Sequence, residues 1–343
     1  MAASGGRLKR LRALSAGAAS IPITLFGLVL VTFFIGRVMP IDPVIAIAGD
    51  HAPPSVVAHI RLELGLDKPL PVQFLIYLRR LGEGNLGHSV MTSHAVTADI
   101  LHFFPRTFEL ATAAIILAVL IGVPAGVFAA ARPGSRFDHF VRVVSLTGQS
   151  IPVFVLGLLF LLVLYVKLGW LPGSGQIGVA YEGMFPSITG MAVVDAALAG
   201  DWGAFQSAFA HLVQPALVLA LFSLAYITRM TRAYMLDALN AEYIITARAK
   251  GVPEWLVLWR HAFGNIAVGL VTVLALAYAS LLEGAVLTET VFTWPGLGLY
   301  LTTSLLNADM NAVLGATLVI GVIYVGLNLL ADLAYRLLDP RVS

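Results

Sequence analysis

EYIITARAKG, Glu242 to Gly251, is a short polar stretch set between two long apolar ones, Leu219 to Met230 before it and Ile266 to Leu282 after it. Both neighbours are too apolar for anything but buried or lipid-facing helices. The stretch itself carries Glu242, Arg248 and Lys250 and must meet water. Read as a helix, the segment puts Leu236, Leu239, Tyr243 and Ala247 on one face at three- and four-residue spacing. Arg248 and Lys250 fall in the last turn, where cations suit the helix dipole, and Gly251 supplies a left-handed stop. Pro253 and Glu254 then open the next helix. The expectation is a small, sharply ended helix presented at a membrane surface.

Composition agrees with that setting. Of 343 residues, 59% are hydrophobic and 12% charged, and the mean hydropathy is +0.88, beyond the apolar share of about 45–50% in soluble domains. The chain is therefore expected to be an all-α integral membrane protein. The net charge of +2 says little about partners, since its distribution along the chain matters more than its sum. There is no cysteine, which excludes disulfides, thiolate metal sites and cysteine nucleophiles.

Outward from the central stretch, six spans are expected. Arg7, Lys9, Arg10 and Arg12 precede an apolar run from Ala13 to Ile35, longer than a signal-peptide core and read as an uncleaved first span. Residues 40–105 form a mixed, polar extracytoplasmic segment with a helix-like patch at Val56 to Leu64. The second span covers Thr107 to Ala131, followed by a basic turn at Arg132 and Arg136, and the third covers Phe140 to Leu168 with a kink at Pro152. An outer insertion, 169–211, holds Glu182, Asp195 and Asp201 and neither lysine nor arginine. The fourth span is Leu212 to Tyr234, the loop 236–261 follows, the fifth is Asn265 to Leu287, and the sixth is Asn311 to Tyr335. This division gives residues 1–39 as terminus and first span, 40–105 as outer segment and 106–343 as a five-helix core. Arg132, Arg136, Arg142, Arg229, Arg232, Arg248, Lys250, Arg260, Arg336 and Arg341 then all fall on the cytoplasmic side with both termini, as the positive-inside rule requires.

The run Tyr243-Ile-x-Thr-Ala-Arg-Ala-Lys-Gly251 with Arg260-His261-Ala262 resembles the cytoplasmic loop of binding-protein-dependent ABC importer permeases of the dipeptide, oligopeptide and nickel branch. ELGLDKPLPVQ (Glu63 to Gln73), GNLGHS (Gly84 to Ser89) and TETVFTWPGLG (Thr288 to Gly298) resemble the same family. SITG (Ser187 to Gly190), VDAALAG (Val194 to Gly200) and HLVQPAL (His211 to Leu217) resemble its dipeptide members. The likeness runs from Ile21-Pro22 to Pro340-Arg341. It departs from the general importer pattern at Ile245-Thr246-Ala247, where Glu-Ala-Ala is usual, at Gly269 in place of a proline, and at Pro40-Ile41-Asp42-Pro43. The resemblance implies the type I importer permease fold of a B-type subunit in the bacterial cytoplasmic membrane. It implies as partners a second permease in a heterodimer, two ATPases that bind ATP-Mg, and an extracytoplasmic solute-binding protein. It also implies that Glu242, Tyr243, Thr246, Ala247, Arg248, Ala249, Lys250 and Gly251 form a coupling helix docking into a groove on the ATPase, a helix-in-groove contact. Dipeptides or oligopeptides are the implied solutes, with nickel, haem or glutathione-like solutes as the alternative.

Motifs for chemistry are absent from the sequence. It holds no Gly-x4-Gly-Lys-Ser/Thr loop, no Gly-x-Ser-x-Gly elbow and no His-Glu-x-x-His helix, so neither a nucleotide site nor an enzyme is expected in this chain, and nothing points to nucleic acid. His51, His59, His88, His94 and His102 lack helical metal spacing and are read as solvated loop residues. Glu109 and Glu283 are the acids nearest membrane depth and each should face water or protein. Glu283 is a candidate path-lining residue, although its placement about one turn from the outer surface favours simple hydration. Gly122 and Gly126 carry the four-residue spacing of close helix packing and are given a structural role. A secondary transporter would be expected to show internal repeats or mid-membrane ionisable sets, and neither stands out.

Overall fold

The computed structural model describes residues 22–36, 44, 52–63 and 65–338. The basic start, the Pro40-to-Pro43 turn, His51 and the tail from Asp339 lie outside the described residues. The helices are α1 (Pro22–Gly36), α2 (Pro54–Glu63), α3 (Leu70–Gly82), α4 (Val96–Ala131), α5 (Arg136–Ser150), α6 (Val153–Lys167), α7 (Ala192–Ala199), α8 (Trp202–Leu239), α9 (Glu242–Ala249), α10 (Glu254–Phe292), α11 (Leu297–Leu306) and α12 (Met310–Leu338). α4, α8, α10 and α12 are long and apolar enough to cross a membrane, and α1 and α6 are shorter apolar helices. The only strand-like pairing among the described residues is a single bridge, His88 to Ala95.

The expected third span is not one bent helix. α5 ends at Ser150, Ile151 is extended (φ −90°, ψ 125°), and α6 starts after Pro152. The physical cause is local: the residue before a proline is pushed out of the helical region, and proline has no N–H to continue the ladder. α6 then ends in a π-helical turn, Leu161–Lys167. α4 begins at Val96, so the boundary expected at residue 105 falls inside a helix, and Pro105 and Pro124 are accommodated within it.

Two compact units divide the chain. The first comprises the residues up to Leu101 with Tyr300–Gly326. In it Phe33 of α1 packs edge-on against Phe74 of α3, and glycines let helices approach. An added Cβ on Gly36 would meet Leu314, and one on Gly321 would meet Leu28. Asp309, buried at the start of α12, accepts hydrogen bonds from Ser89 Oγ (2.6 Å) and Met91 N (3.1 Å). Asp99 accepts from Thr92 Oγ1 (2.6 Å) and Tyr300 OH (3.0 Å), and together the two carboxylates secure the loop around residues 89–94.

The second unit comprises His102–Leu299 and the residues from Leu327. α8 is its spine, lying against α10, α5 and α7. α4 meets α8 at Gly122 and Gly126, where added Cβ atoms would strike Thr228 and Thr231, so the small-residue spacing serves close packing. Ser135 caps α5 by accepting from Asp138 N (3.2 Å). Asp138, fully buried, takes two hydrogen bonds from Arg232 of α8, Nε to Oδ1 at 2.6 Å and Nη2 to Oδ2 at 2.9 Å. That bidentate pair, with the Gly134 N–H on the same carboxylate, holds the Asp138 carboxyl down at about 2 from an ordinary 3.8.

Candidate functional site

α8 stops at Leu239 because Asn240 caps it and Ala241 turns extended (φ −75°, ψ 148°), after which α9 starts afresh at Glu242. The break shifts the helical phase. Leu236 and Leu239 therefore belong to the preceding helix, and the face expected to run from Leu236 to Ala247 is corrected: Ile244 and Ala247 point inward, whereas Tyr243 is 42% exposed. Ile244 and Ala247 enter an apolar cluster with Met235 and Leu239 of α8, Val127 and Ala130 of α4, and Val257, Ala262 and Ile266 of α10. Three helix ends and α9 thus share one small core.

The other end of α9 is closed by a Schellman motif. Gly251 N–H donates to Arg248 O (2.9 Å), Val252 N–H donates to Ala247 O (3.2 Å), and Gly251 sits at φ +76°. Val252 packs on the same apolar cluster, the hydrophobic contact that accompanies this motif. The left-handed stop expected at Gly251 and the helix start expected after Pro253 are both found. Arg248 reaches forward to Glu254 (Nε to Oε1 2.8 Å, Nη2 to Oε2 3.3 Å), a clasp between α9 and α10 that spacing alone did not indicate.

Seated on this mount, Glu242, Tyr243, Thr246, Arg248, Ala249, Lys250 and Gly251 are exposed together, and of the eight residues marked in the sequence only Ala247 is buried. Ile245, 60% exposed, and Trp255, 64% exposed, stand beside them as apolar side chains the sequence reading passed over.

At the far end of α8 lies the insertion. Asp201 caps α8 by accepting from Ala204 N (2.9 Å). Buried Asp195 accepts from Thr189 N (2.8 Å), Thr189 Oγ1 (2.7 Å) and Gly190 N (3.0 Å), so the SITG and VDAALAG stretches form one folded piece. Glu109 faces protein rather than water. Its Oε1 accepts from Val193 N (2.9 Å) and its Oε2 from Gln176 Nε2 (3.1 Å), tying α4 to this piece.

TETVFTWPGLG is likewise tied into the fold. Trp294 is fully buried and donates Nε1–H to Arg106 O (2.9 Å), and Leu297 N–H donates to Thr107 Oγ1 (2.7 Å). Glu289, also fully buried, accepts from Gly298 N (2.6 Å) and Leu299 N (3.0 Å) at the start of α11. Added Cβ atoms on Gly296 and Gly298 would meet the Glu289 carboxylate, so the glycines are there to admit it. The sequence reading missed Glu289, although an acid preceding a Pro-Gly-x-Gly turn is a ready acceptor for the free N–H groups of the next helix. Glu283 lies exposed on α10, which continues past it to Phe292. No cluster of three metal-ligating side chains occurs among the described residues.

These features, an all-helical membrane protein with four span-length helices among the described residues and a braced polar knob between the second and third of them, define the class. Residues 122–343 match the model of the binding-protein-dependent transport system inner membrane component, and residues 11–111 match that of the N-terminal region of such membrane components. The chain belongs to this family, and is a transport component of a membrane rather than an enzyme. It is 42% identical over 319 residues to the "Probable D,D-dipeptide transport system permease protein DdpB" of Escherichia coli K12, covering 92% of this chain and 93% of that protein. It is 41% identical over 320 residues to the di/tripeptide transport system permease protein DppB of Pseudomonas aeruginosa UCBPP-PA14 (93% and 95% covered). It is 39% identical over 322 residues to the dipeptide transport system permease protein DppB of Escherichia coli K12 (93% and 95% covered).

Proposed function

We propose that this chain is the B-type permease subunit of an ATP-driven ABC importer of dipeptides or oligopeptides, paired with a second permease to enclose the path. The observation that carries the reading is the α9 knob, a polar helix exposed on one side and locked on the other to the ends of α4, α8 and α10. A force applied to such a knob moves three long helices at once, which is what coupling to a motor on another chain demands. The substrate class is supported by the relatives, whose names specify di- and tripeptides.

In this reading α1 and the α5–α6 pair complete six spans with α4, α8, α10 and α12, and both termini lie in the cytoplasm. The segments 40–105 and 169–211 face outward, towards a solute-binding protein. α9 docks on one of two ATPases that bind ATP-Mg, with Glu242, Tyr243, Thr246, Arg248, Ala249, Lys250 and Gly251 at the contact and Ala247 anchoring it from below. Glu283, exposed on α10, lines the path. Arg248→Glu and Gly251→Val should each abolish dipeptide uptake in cells while leaving the chain in the membrane at its normal level. Undiminished uptake in both variants removes the coupling assignment.

A further inference from the structure

The second unit contains a cleft of about 460 Å³ between the insertion, the outer part of α4 and the turn at Thr293 to Pro295. This volume lies in the range of small-molecule sites, about 300–1,000 Å³. The cleft is at the opposite end of the unit from α9: the insertion leads directly into α8 at Trp202, and α9 follows its last residue, Leu239, about 57 Å away along a helix of 38 residues.

Its walls carry both signs of charge. Arg106 commits Nε to Gln176 Oε1 (3.2 Å) and Nη1 to His102 O (2.7 Å), with Nη2 uncommitted among the described residues. Asp195 accepts from Thr189 and Gly190 of the insertion, and its carboxylate and that of Glu109 are close enough to act on the Arg106 charge. Glu182 is exposed on the wall; its backbone N–H donates to Val179 O (3.3 Å), and its carboxylate makes no hydrogen bond or ion pair among the described residues. Between these charges the wall contains three glycines at positive φ, Gly175 (+104°), Gly183 (+73°) and Gly190 (+79°), positions where a side chain would be strained. Gly175 N–H is donated to Phe292 O (2.9 Å) and Gly190 N–H to Asp195 Oδ2 (3.0 Å), which leaves the Gly183 N–H uncommitted among the described residues, a main-chain group that can meet a peptide backbone whatever its side chains. Tyr181 and Phe185 add apolar ring surface.

We propose that this cleft is an entry site for short zwitterionic peptides, with Glu182 meeting the α-ammonium, Arg106 meeting the α-carboxylate, and the Gly183 main chain meeting the peptide bond. The inference rests on the peptide-importer reading above and adds a binding site to it on this chain. It predicts selection by free termini and weak discrimination between side chains.

The test uses the assembled importer in vesicles and a dipeptide bearing a photoreactive side chain. The expected result is an adduct within residues 175–190 that Ala-Ala displaces and N-acetyl-Ala-Ala-amide does not, reduced about tenfold by Glu182→Gln. That substitution exchanges an exposed carboxylate for its amide, and normal membrane levels of the variant check its folding. Arg106→Gln should have the same effect. An absent adduct, equal displacement by the blocked peptide, or an undiminished adduct in Glu182→Gln overturns the proposal. Displacement by the peptide-free solute-binding protein but not by Ala-Ala also overturns it, in favour of a receptor contact. Uptake by the same vesicles reads the importer assignment separately: uptake without a cleft adduct removes only this site, whereas loss of both removes the importer reading as well.

Discussion

Gly251 sits at φ +76°, where a side chain costs about 1–2 kcal/mol and a β-branched one is worst placed. Space is not the obstacle, since nothing lies within 4 Å of an added Cβ. Gly251→Asn should therefore keep most uptake and Gly251→Val little, a ranking measured by uptake at matched membrane levels. The Arg248–Glu254 pair separates two roles for Arg248. Both side chains are about half exposed or more (44% and 62%), and pairs of that kind stabilise by about 0–1 kcal/mol. If Arg248 acts only as a clasp, exchanging the partners as Arg248→Glu with Glu254→Arg restores uptake. If it touches the ATPase, the exchange stays inactive, which is the outcome expected from the coupling role. Asp138 is a different case, because its pair with Arg232 is buried on the acid side. A carboxyl held low in the folded state adds stability above its ordinary 3.8 and loses it as pH falls towards about 2. Unfolding midpoints between pH 5 and 8 should be insensitive to this pair and should drop below pH 4. Asp138→Asn, leaving Arg232 short of its counter-charge, should cost about 3 kcal/mol at neutral pH and flatten that acid limb.

At the scale of elements, α9 is short because it has no need to stand alone. An isolated eight-residue helix is unstable in water, and here Ile244 and Ala247 on one side and the Gly251 stop at the end supply what its length does not. Its existence, its end and the following start were legible from Gly251, Pro253 and the charge placement. Its inward face was not, since the reading carried one helical phase across Asn240 and Ala241, where nothing in composition marks an extended residue. For α5 and α6 a signal was present and not used: the polar run Thr147-Gly148-Gln149-Ser150 precedes Pro152, and the proline pushes Ile151 out of the helical region, which separates the two helices. Glu289 illustrates a third kind of loss. A buried acid whose partners are backbone N–H groups leaves no complementary charge in the sequence, so nothing marked Glu289 out within Thr288 to Gly298. Glu289→Ala should strand the N–H groups of Gly298 and Leu299 at about 1–3 kcal/mol each and lower the thermal midpoint in detergent, whereas Glu289→Gln, keeping an acceptor oxygen, should cost less.

For the whole molecule, the apolar runs placed α4, α8, α10 and α12, the helices that reach span length. The acid-bearing insertion and the basic turns belong to opposite ends of α8, the first beside Trp202 and the second tied to Arg232. The natural absence of cysteine makes sidedness directly measurable. Lys250→Cys should react with a membrane-impermeant maleimide only in inside-out vesicles, and Ile188→Cys only in intact spheroplasts. Labelling of Lys250→Cys from outside would invert the topology and end the coupling reading.

α8 is one uninterrupted rod from the insertion to the knob, with Pro215 its only internal proline. A rod of that reach is a lever: rocking it by about 5° about one tip swings the other by roughly 5 Å. Motion at the α9 tip would thus reach the insertion as a displacement of that size, with no relay of side chains in between.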